Sequence, residues 1–311
     1  MTRLSTLLGT LVILFAGACI TPAEVDFAGA EQELVVYAHF GANESMKVYL
    51  THTRDPLKPN QSFKPIEDAT IKVYRDGELV SQVNRSGEPD KDLEYVALYN
   101  TGIHAIGGSR YQIEVMAEGY KNARSVENVP HHKATIRGFE SLESSNENSL
   151  YRLLFSDDDS EENYYQLIIK ALEYDVLDSL VSEEIVNYEL VRSSAFTHFD
   201  NNTRAWTAIY PEYAGFLFTG VQGEGDLKEL FIEIPNEERT VNETHDYTYK
   251  VELHNVSHAY FLYHQSVQAQ LSDNNILTDP TRIYNNIEGG FGNFSAYNAA
   301  TTEVSALRVG E

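Results

Sequence analysis

Ala69-Thr70-Ile71-Lys72-Val73-Tyr74-Arg75-Asp76-Gly77-Glu78-Leu79-Val80-Ser81-Gln82-Val83 is the stretch whose reading decides the fold. Before Asp76 apolar and polar residues alternate, and a second β-forming run follows Gly77; alternation puts every second side chain on one face of a strand. Asp-Gly between two such runs predicts a two-residue hairpin, because both residues tolerate positive φ in a type I′ turn.

The neighbouring segments follow the same pattern. Upstream, Glu33 to Phe40 is a β-branched and aromatic run closed by Gly41-Ala42-Asn43, and Met46 to Thr53 alternates again before a loop holding Pro56, Pro59 and Pro65. Downstream, Leu93 to Leu98, Arg110 to Ala117 and Ala123 to Val129 supply strands, with turns at Gly107-Gly108 and Glu118-Gly119-Tyr120. About seven short strands in about 100 residues, with no long helical period, predict an immunoglobulin-like β-sandwich over residues 33–131. Pro130-His131-His132 marks its end. The adjacent histidines are read as linker, since neighbours on a strand point to opposite faces and one such pair rarely chelates a metal.

Residues 132–311 are expected to form a second β-rich domain. Its strands are Lys133 to Gly138, Tyr151 to Phe155 after a polar loop, Tyr164 to Leu172, Ala205 to Tyr210, Phe216 to Gly220, Leu227 to Pro235 and Asp246 to His254. Ser257 to Leu271 departs from the pattern: Tyr260, Phe261, Tyr263, His264, Val267 and Leu271 recur at steps near three and four, and Ser257 can cap, so an amphipathic helix is predicted there with its aromatic face on the second sheet. His258 and His264 lie six residues apart and are not expected to share a face. The closing run, Ile283 through Asn286-Ile287-Glu288-Gly289-Gly290-Phe291-Gly292 to Tyr297, mixes glycines with aromatics and reads as a bulged strand in close backbone contact. The fold class is therefore mostly β: two β-sandwich-like domains with one helix near the C-terminus.

The chain's start carries an export signal. Thr2-Arg3 is a short positive segment, Leu4 to Phe15 an apolar one, and Ala16-Gly17-Ala18 a run of small residues directly before Cys19, the only cysteine. Residues 1–18 are read as a signal peptide and residues 19–32 as a tether. Cleavage before Cys19 satisfies the ordinary signal peptidase, and it equally resembles the lipobox of a bacterial lipoprotein, although Ala16 stands where that pattern prefers Leu. On the second reading Cys19 is acylated and anchors the protein, since each buried CH2 contributes roughly 0.8 kcal/mol and two chains hold where one does not. An uncleaved span is disfavoured by Ser5, Thr6, Gly9 and Thr10 in a run shorter than the ~20 apolar residues a span needs. An acylated Cys19 leaves no thiol for a disulfide, a metal or catalysis.

Removing residues 1–18 from the 311 leaves 293, enough for two domains. The 20 Tyr and 14 Phe supply ample core surface, and 47 acidic against 23 basic residues give a net charge of −24. Nucleic acid is excluded as a partner by that balance, because phosphate binding needs Lys and Arg clusters. One acidic loop invites a metal reading: Asp157, Asp158, Asp159, Glu161 and Glu162 could offer oxygens to calcium, although the loop lacks an EF-hand's glycine and spaced terminal Glu. No other metal site and no cofactor is expected.

The order of these features resembles a known family. The lipoprotein-like signal, Glu33-Leu34-Val35-Val36, Ala69 to Tyr74, Tyr111-Gln112-Ile113-Glu114-Val115 followed by Gly119-Tyr120, Glu162-Asn163-Tyr164-Tyr165, the Tyr-rich helix and Asn286 to Gly292 look like the domain-of-unknown-function 4249 lipoproteins of Bacteroidetes. That resemblance implies a two-domain, mostly β lipoprotein of the outer membrane, of a kind whose genes commonly lie beside TonB-dependent receptors. It implies no catalytic residue.

Three function classes follow. The leading expectation is a lipid-anchored, non-enzymatic accessory or ligand-binding partner of a TonB-dependent outer-membrane transporter. The alternative is a free-standing surface module for adhesion or glycan binding, with Trp206 and exposed tyrosines as stacking platforms. An enzyme is disfavoured: the chain has no Gly-x-Ser-x-Gly elbow and no His-Glu-x-x-His. Sequence assigns no ligand-binding residue.

Overall fold

A computed structural model of the protein describes residues 32–55, 65–84, 88–89, 95–145, 147–156, 162–175, 177–193, 215–219, 227–236, 245–272 and 282–305. The secondary-structure elements of the described residues belong to one unit, residues 33–53 and 62–311. In chain order they are β1 (Leu34–Gly41), β2 (Ser45–His52), β3 (Ala69–Arg75), β4 (Glu78–Val83), β5 (Glu88–Pro89), β6 (Ala97–His104), β7 (Arg110–Ala117), β8 (Ala123–Asn128), β9 (Thr135–Ser144), β10 (Asn148–Ser156), β11 (Tyr164–Asp175), β12 (Leu180–Ile185), β13 (Glu189–Ser193), β14 (Phe216–Thr219), β15 (Leu227–Pro235), β16 (His245–Val256), helix α1 (His258–Ser272) and β17 (Phe291–Ser305). Among the described residues the protein is mostly β with one helix, in the class its sequence predicts.

The hairpin that opened the reading forms as expected. Asp76 and Gly77 take φ values of 52° and 90°, both in the left-handed region that a type I′ turn requires. Arg75 pairs with Glu78 across the turn, and the Arg110 N–H donates to Asp76 Oδ1 at 3.0 Å, fastening the turn to β7.

Among the described residues the strands form three sheets. The largest runs β12-β11-β16-β17-β1-β2-β6-β5 with β14 also on β11; the two smaller ones run β13-β15-β10-β9 and β4-β3-β7-β8. The large sheet crosses Pro130 without a break. Its central pair is β1 with β17, parallel, with Ala38 opposite Phe294 and Phe40 opposite Ala296. Parallel pairing places each opposed pair on the same face. Leu34, Val36, Ala38, Phe40, Phe294 and Ala296 therefore point together into a first core, filled by Ile71, Val73, Tyr111, Ile113 and Val115 of the β3–β7 layer.

The second core lies on the same face. Leu253 pairs with Ala300 of β17, continuing the Phe294–Ala296 series, and Tyr165, Leu167, Ile169, Val251 and Leu253 pack on Tyr151, Leu153, Phe155, Leu230 and Ile232. Full burial of each such side chain contributes roughly 1.5–3 kcal/mol. The result is two sandwiches built on one shared sheet. The linker crosses beneath the shared strands, where Asn298 Nδ2 donates to Pro130 O and Asn255 Nδ2 donates to His132 O, at 3.1 and 3.2 Å.

The closing glycines make the central pairing possible. A Cβ on Gly290 would stand 2.6 Å from Leu34 O, and Gly292, at φ +124°, lies against the Val36 carbonyl. Only a residue without a side chain fits a strand entering so tightly. Several elements differ from their sequence reading, among them the closing strand, which starts at Phe291 rather than Ile283 and runs on to Ser305. The polar stretch after Gly138 is not a loop: β9 and β10 meet in a short turn at Ser145, because Glu and Ser side chains on an edge strand face water and do not oppose pairing. The strand expected at 93–98 is described from Ala97 onward. Among the described residues no helix is long and apolar enough to cross a membrane.

Candidate functional site

The face of the large sheet opposite the cores is covered by α1, and the unusual chemistry of the chain collects there. Alternation on β16 turns Tyr249, Val251 and Leu253 into the second core and leaves Lys250, Glu252, His254 and Val256 on the helix side. By the same rule β1 contributes Tyr37 and His39, β17 contributes Asn293, Ser295 and Tyr297, and β11 contributes Gln166 and Lys170. Ser257 ends β16 and starts the helix. Its Oγ accepts from the Tyr260 N–H at 3.4 Å and from the Ala296 N–H at 3.3 Å, so the cap also fastens α1 to β17.

Rings stack across the seam of the two halves. Tyr297 lies between His39 and His254, at centroid distances of 4.6 and 4.2 Å. His39 stacks in turn on Tyr260 at 4.1 Å, and Tyr260 meets His264 at 4.0 Å. The two phenols are spent as donors: Tyr297 to Glu44 Oε2 at 2.5 Å and Tyr260 to Gln166 Oε1 at 2.9 Å. A charge network adjoins the stack. Glu252 receives Lys250 at 3.0 Å, Lys170 at 3.3 Å and His254 Nε2 at 3.1 Å, while Lys170 also reaches Glu183 at 2.8 Å.

Burial sets the protonation states. It is the main cause that holds His39 well below the ordinary imidazole value, reinforced by His264 and His254. It lowers His264 to about 3. It raises the Tyr260 and Tyr297 phenols far above their usual range, in Tyr297 with the added charge of Glu44. For Glu252 burial works against ionisation, but the hydrogen bonds from His254 and Lys250 and the Lys170 charge outweigh it and hold the carboxyl well below its usual range. Glu127, near the helix start, is pushed up to about 7 by burial, against the hydrogen bonds it receives from the Asn128 N–H and Ser257.

The arrangement is a clamp. Imidazoles and phenols stacked at van der Waals distance bury aromatic area at the seam, and the rings of Tyr260 and Tyr297 stand between the imidazoles. Among the described residues no three His, Cys, Asp or Glu side chains converge as metal ligands. The buried His254 Nδ1 and Asn293 Oδ1 meet no hydrogen-bond partner among the described residues. Beside the clamp, on the outer side of α1, an open groove of about 690 Å³ is lined by Leu262, Gln265, Ser266, Ala269 and the strap Arg282–Asn285. Ser266 Oγ accepts the Tyr284 N–H at 2.9 Å and so pins the strap to the helix.

Of the residues singled out in the sequence, Cys19, Asp157, Asp158, Asp159, Glu161 and Trp206 lie outside the described residues. Glu162 is described, and it hydrogen-bonds the Tyr164 phenol, which burial and this carboxylate push up to about 12. His131 and His132 do not point apart. They sit in a bend rather than a strand, and their rings meet edge-on at 4.4 Å. His258 stacks on Tyr164 at 4.8 Å, while His264 is buried under the helix, so the two are not brought together. Sequence reading missed His39, Glu252, His254 and Tyr297. One signal was present: Lys250, Glu252 and His254 recur with period two on the face opposite Tyr249, Val251 and Leu253, too polar for a strand in the middle of a sheet unless something covers it.

A family model described as "Domain of unknown function (DUF4249)" matches residues 20–303. Among solved structures the chain is similar to bovine butyrophilin, at 8% identity over 72% of this chain and 92% of that one, with a TM-score of 0.20. It is also similar to a β-glucuronidase from glycoside hydrolase family 2, at 7% identity over 89% of this chain and 20% of that one, with a TM-score of 0.21. Similarities at that level carry no argument about activity. No curated protein matches the chain.

Proposed function

The chain belongs to the DUF4249 family, and from that membership we propose that it is a lipid-anchored, non-enzymatic protein of the outer membrane that serves a TonB-dependent transporter as accessory or ligand-handing partner. The observation that carries the reading is positional: the family match begins at residue 20, directly after Cys19. A cysteine that becomes the first residue of the mature module is placed where acylation needs it. Two or more acyl chains then hold the module at the bilayer, and residues 20–33 lead to β1 at Leu34.

Two features of the described residues support a binding role. The titratable side chains of the clamp are engaged with one another, which suits a rigid scaffold. The groove between α1 and the Arg282–Asn285 strap is concave, mixes apolar and polar lining, and stands on two pinned elements, as binding sites do. The test is a crosslinked pull-down of the detergent-solubilised, full-length protein from its native envelope. A near-stoichiometric TonB-dependent receptor is the expected result. A protein that co-purifies with no receptor overturns the reading in favour of the free-standing surface module, for which glycan arrays are the next measurement.

A further inference from the structure

The β11–β12 hairpin presents an apolar tip that packs into none of the cores formed by the described residues. Leu177 is 80% exposed, and Leu180 and Val181 beside it are 53% and 55% exposed. The turn that carries them is fastened. Asp175 Oδ1 accepts the N–H groups of Leu177 and Ser179 at 2.8 and 2.9 Å, Asp178 N–H donates to Asp175 O and Asp175 N–H to Ser179 O, each at 3.0 Å, and Asp178 takes φ 58°. An apolar side chain held out on a pinned turn loses little entropy on docking, which is what a binding anchor requires. Among the described residues β12 pairs only with β11 and ends the large sheet.

Charge and position select the occupant. From Ala171 to Val191 the chain contains no Lys or Arg but carries Glu173, Asp175, Asp178, Glu183, Glu184 and Glu189. Glu183 is held by Lys170, but a second copy would still bring Asp178 and Glu184 against their own counterparts, and a carboxylate on an edge strand guards against that self-pairing. The tip also lies at the far pole from the start of β1. Val35 pairs with Phe291 at one end of the 15-residue β17, whereas Thr248 pairs with Ser305 at the other and Asp175 pairs with His245, three residues beyond Thr248. At about 3.3 Å per residue the two poles stand on the order of 50 Å apart. A chain anchored ahead of β1 is attached at the pole opposite this tip, a step that rests on the anchor reading above.

We propose that the Leu177–Val181 tip is a docking knob for a protein partner whose apolar pocket is rimmed by Lys and Arg. Leu177 fills the pocket; Asp178 and Glu184 meet the rim.

A photo-crosslinking residue placed at Leu177 of the full-length protein in its native envelope tests this, with the same residue at the exposed Leu79 of β4 as control. The expected result is one protein product specific to position 177, its crosslinked peptide mapping to an apolar pocket with a basic rim. Its yield falls as salt rises, and it falls about tenfold or more with Leu180→Asp, as for loss of a contact worth about 1.4 kcal/mol, while the melting temperature is unchanged. The proposal is overturned by any of the following: no product, the same product from position 79, a lipid product, a crosslinked second copy, a partner site without basic residues, or a yield indifferent to salt or to Leu180→Asp. Cys19→Ser tests anchoring and leaves the tip intact, so the two readings fail separately.

Discussion

Val36 and Gly292 oppose each other across the parallel β1–β17 pair, and residue 292 comes so close to the Val36 carbonyl that a Cβ there would overlap it. The contact is backbone on backbone, and neither strand can retreat, because Val36 is fully buried in the first core. Gly292→Ala is therefore expected to destabilise the protein by about 3 kcal/mol, from a positive φ and an overlap that cannot relax. Gly138→Ala, where a Cβ meets nothing within 4 Å, should change stability by less than about 0.5 kcal/mol. Urea denaturation of the two variants gives both numbers.

The Tyr297 ring and its hydroxyl make separable contributions. Tyr297→Phe keeps the stack with His39 and His254 and loses the hydrogen bond to the exposed Glu44, at a cost of about 1 kcal/mol. Tyr297→Ala also removes the ring and should cost about 4 kcal/mol. A double-mutant cycle with His254→Ala is expected to show coupling between the two rings.

Glu252 balances two lysines inside the fold. Glu252→Leu leaves Lys170 and Lys250 facing a partly buried, apolar site and should cost about 3 kcal/mol. The native carboxyl titrates below the unfolded one, whose ordinary value is 4.5. Its contribution is thus present above that pH and is lost as the pH falls below it. Acid denaturation of the variant should be correspondingly shallower.

The buried imidazoles and Glu127 tilt stability in opposite directions. Unfolded His264 takes up a proton near 6.5, while in the native state it stays neutral down to about 3. The unfolded state binds more protons in that window, so stability falls as the pH drops through it. Glu127 keeps its proton in the native state up to about 7, while the unfolded carboxyl loses it near 4.5; here stability falls as the pH rises. His264→Leu should flatten the acid-side loss, and Glu127→Gln should flatten the opposing slope near neutrality. Denaturation across this pH range reads both.

What was legible in the sequence was local. Asp76-Gly77 announced its hairpin, the steps of three and four from Tyr260 to Val267 announced α1, and the glycines before Phe291 announced a close backbone approach, because each signal lies within a few residues of its effect. The β1–β17 pairing was not legible, since nothing in Leu34–Gly41 specifies a partner some 250 residues away, and with it the shared sheet and the clamp were hidden. β12 and β13 escaped for another reason: on edge strands, carboxylates facing water replace the apolar alternation by which strands are recognised. His39 and His254 look like ordinary polar residues until the sheet sets them on either side of Tyr297.

The most direct test of anchorage at the outer membrane is the mass of the N-terminal peptide of the mature protein, purified from its native envelope. The account predicts a peptide that begins at Cys19 and carries at least two acyl chains. A peptide that begins at unmodified Cys19, or one that retains Met1, would contradict it.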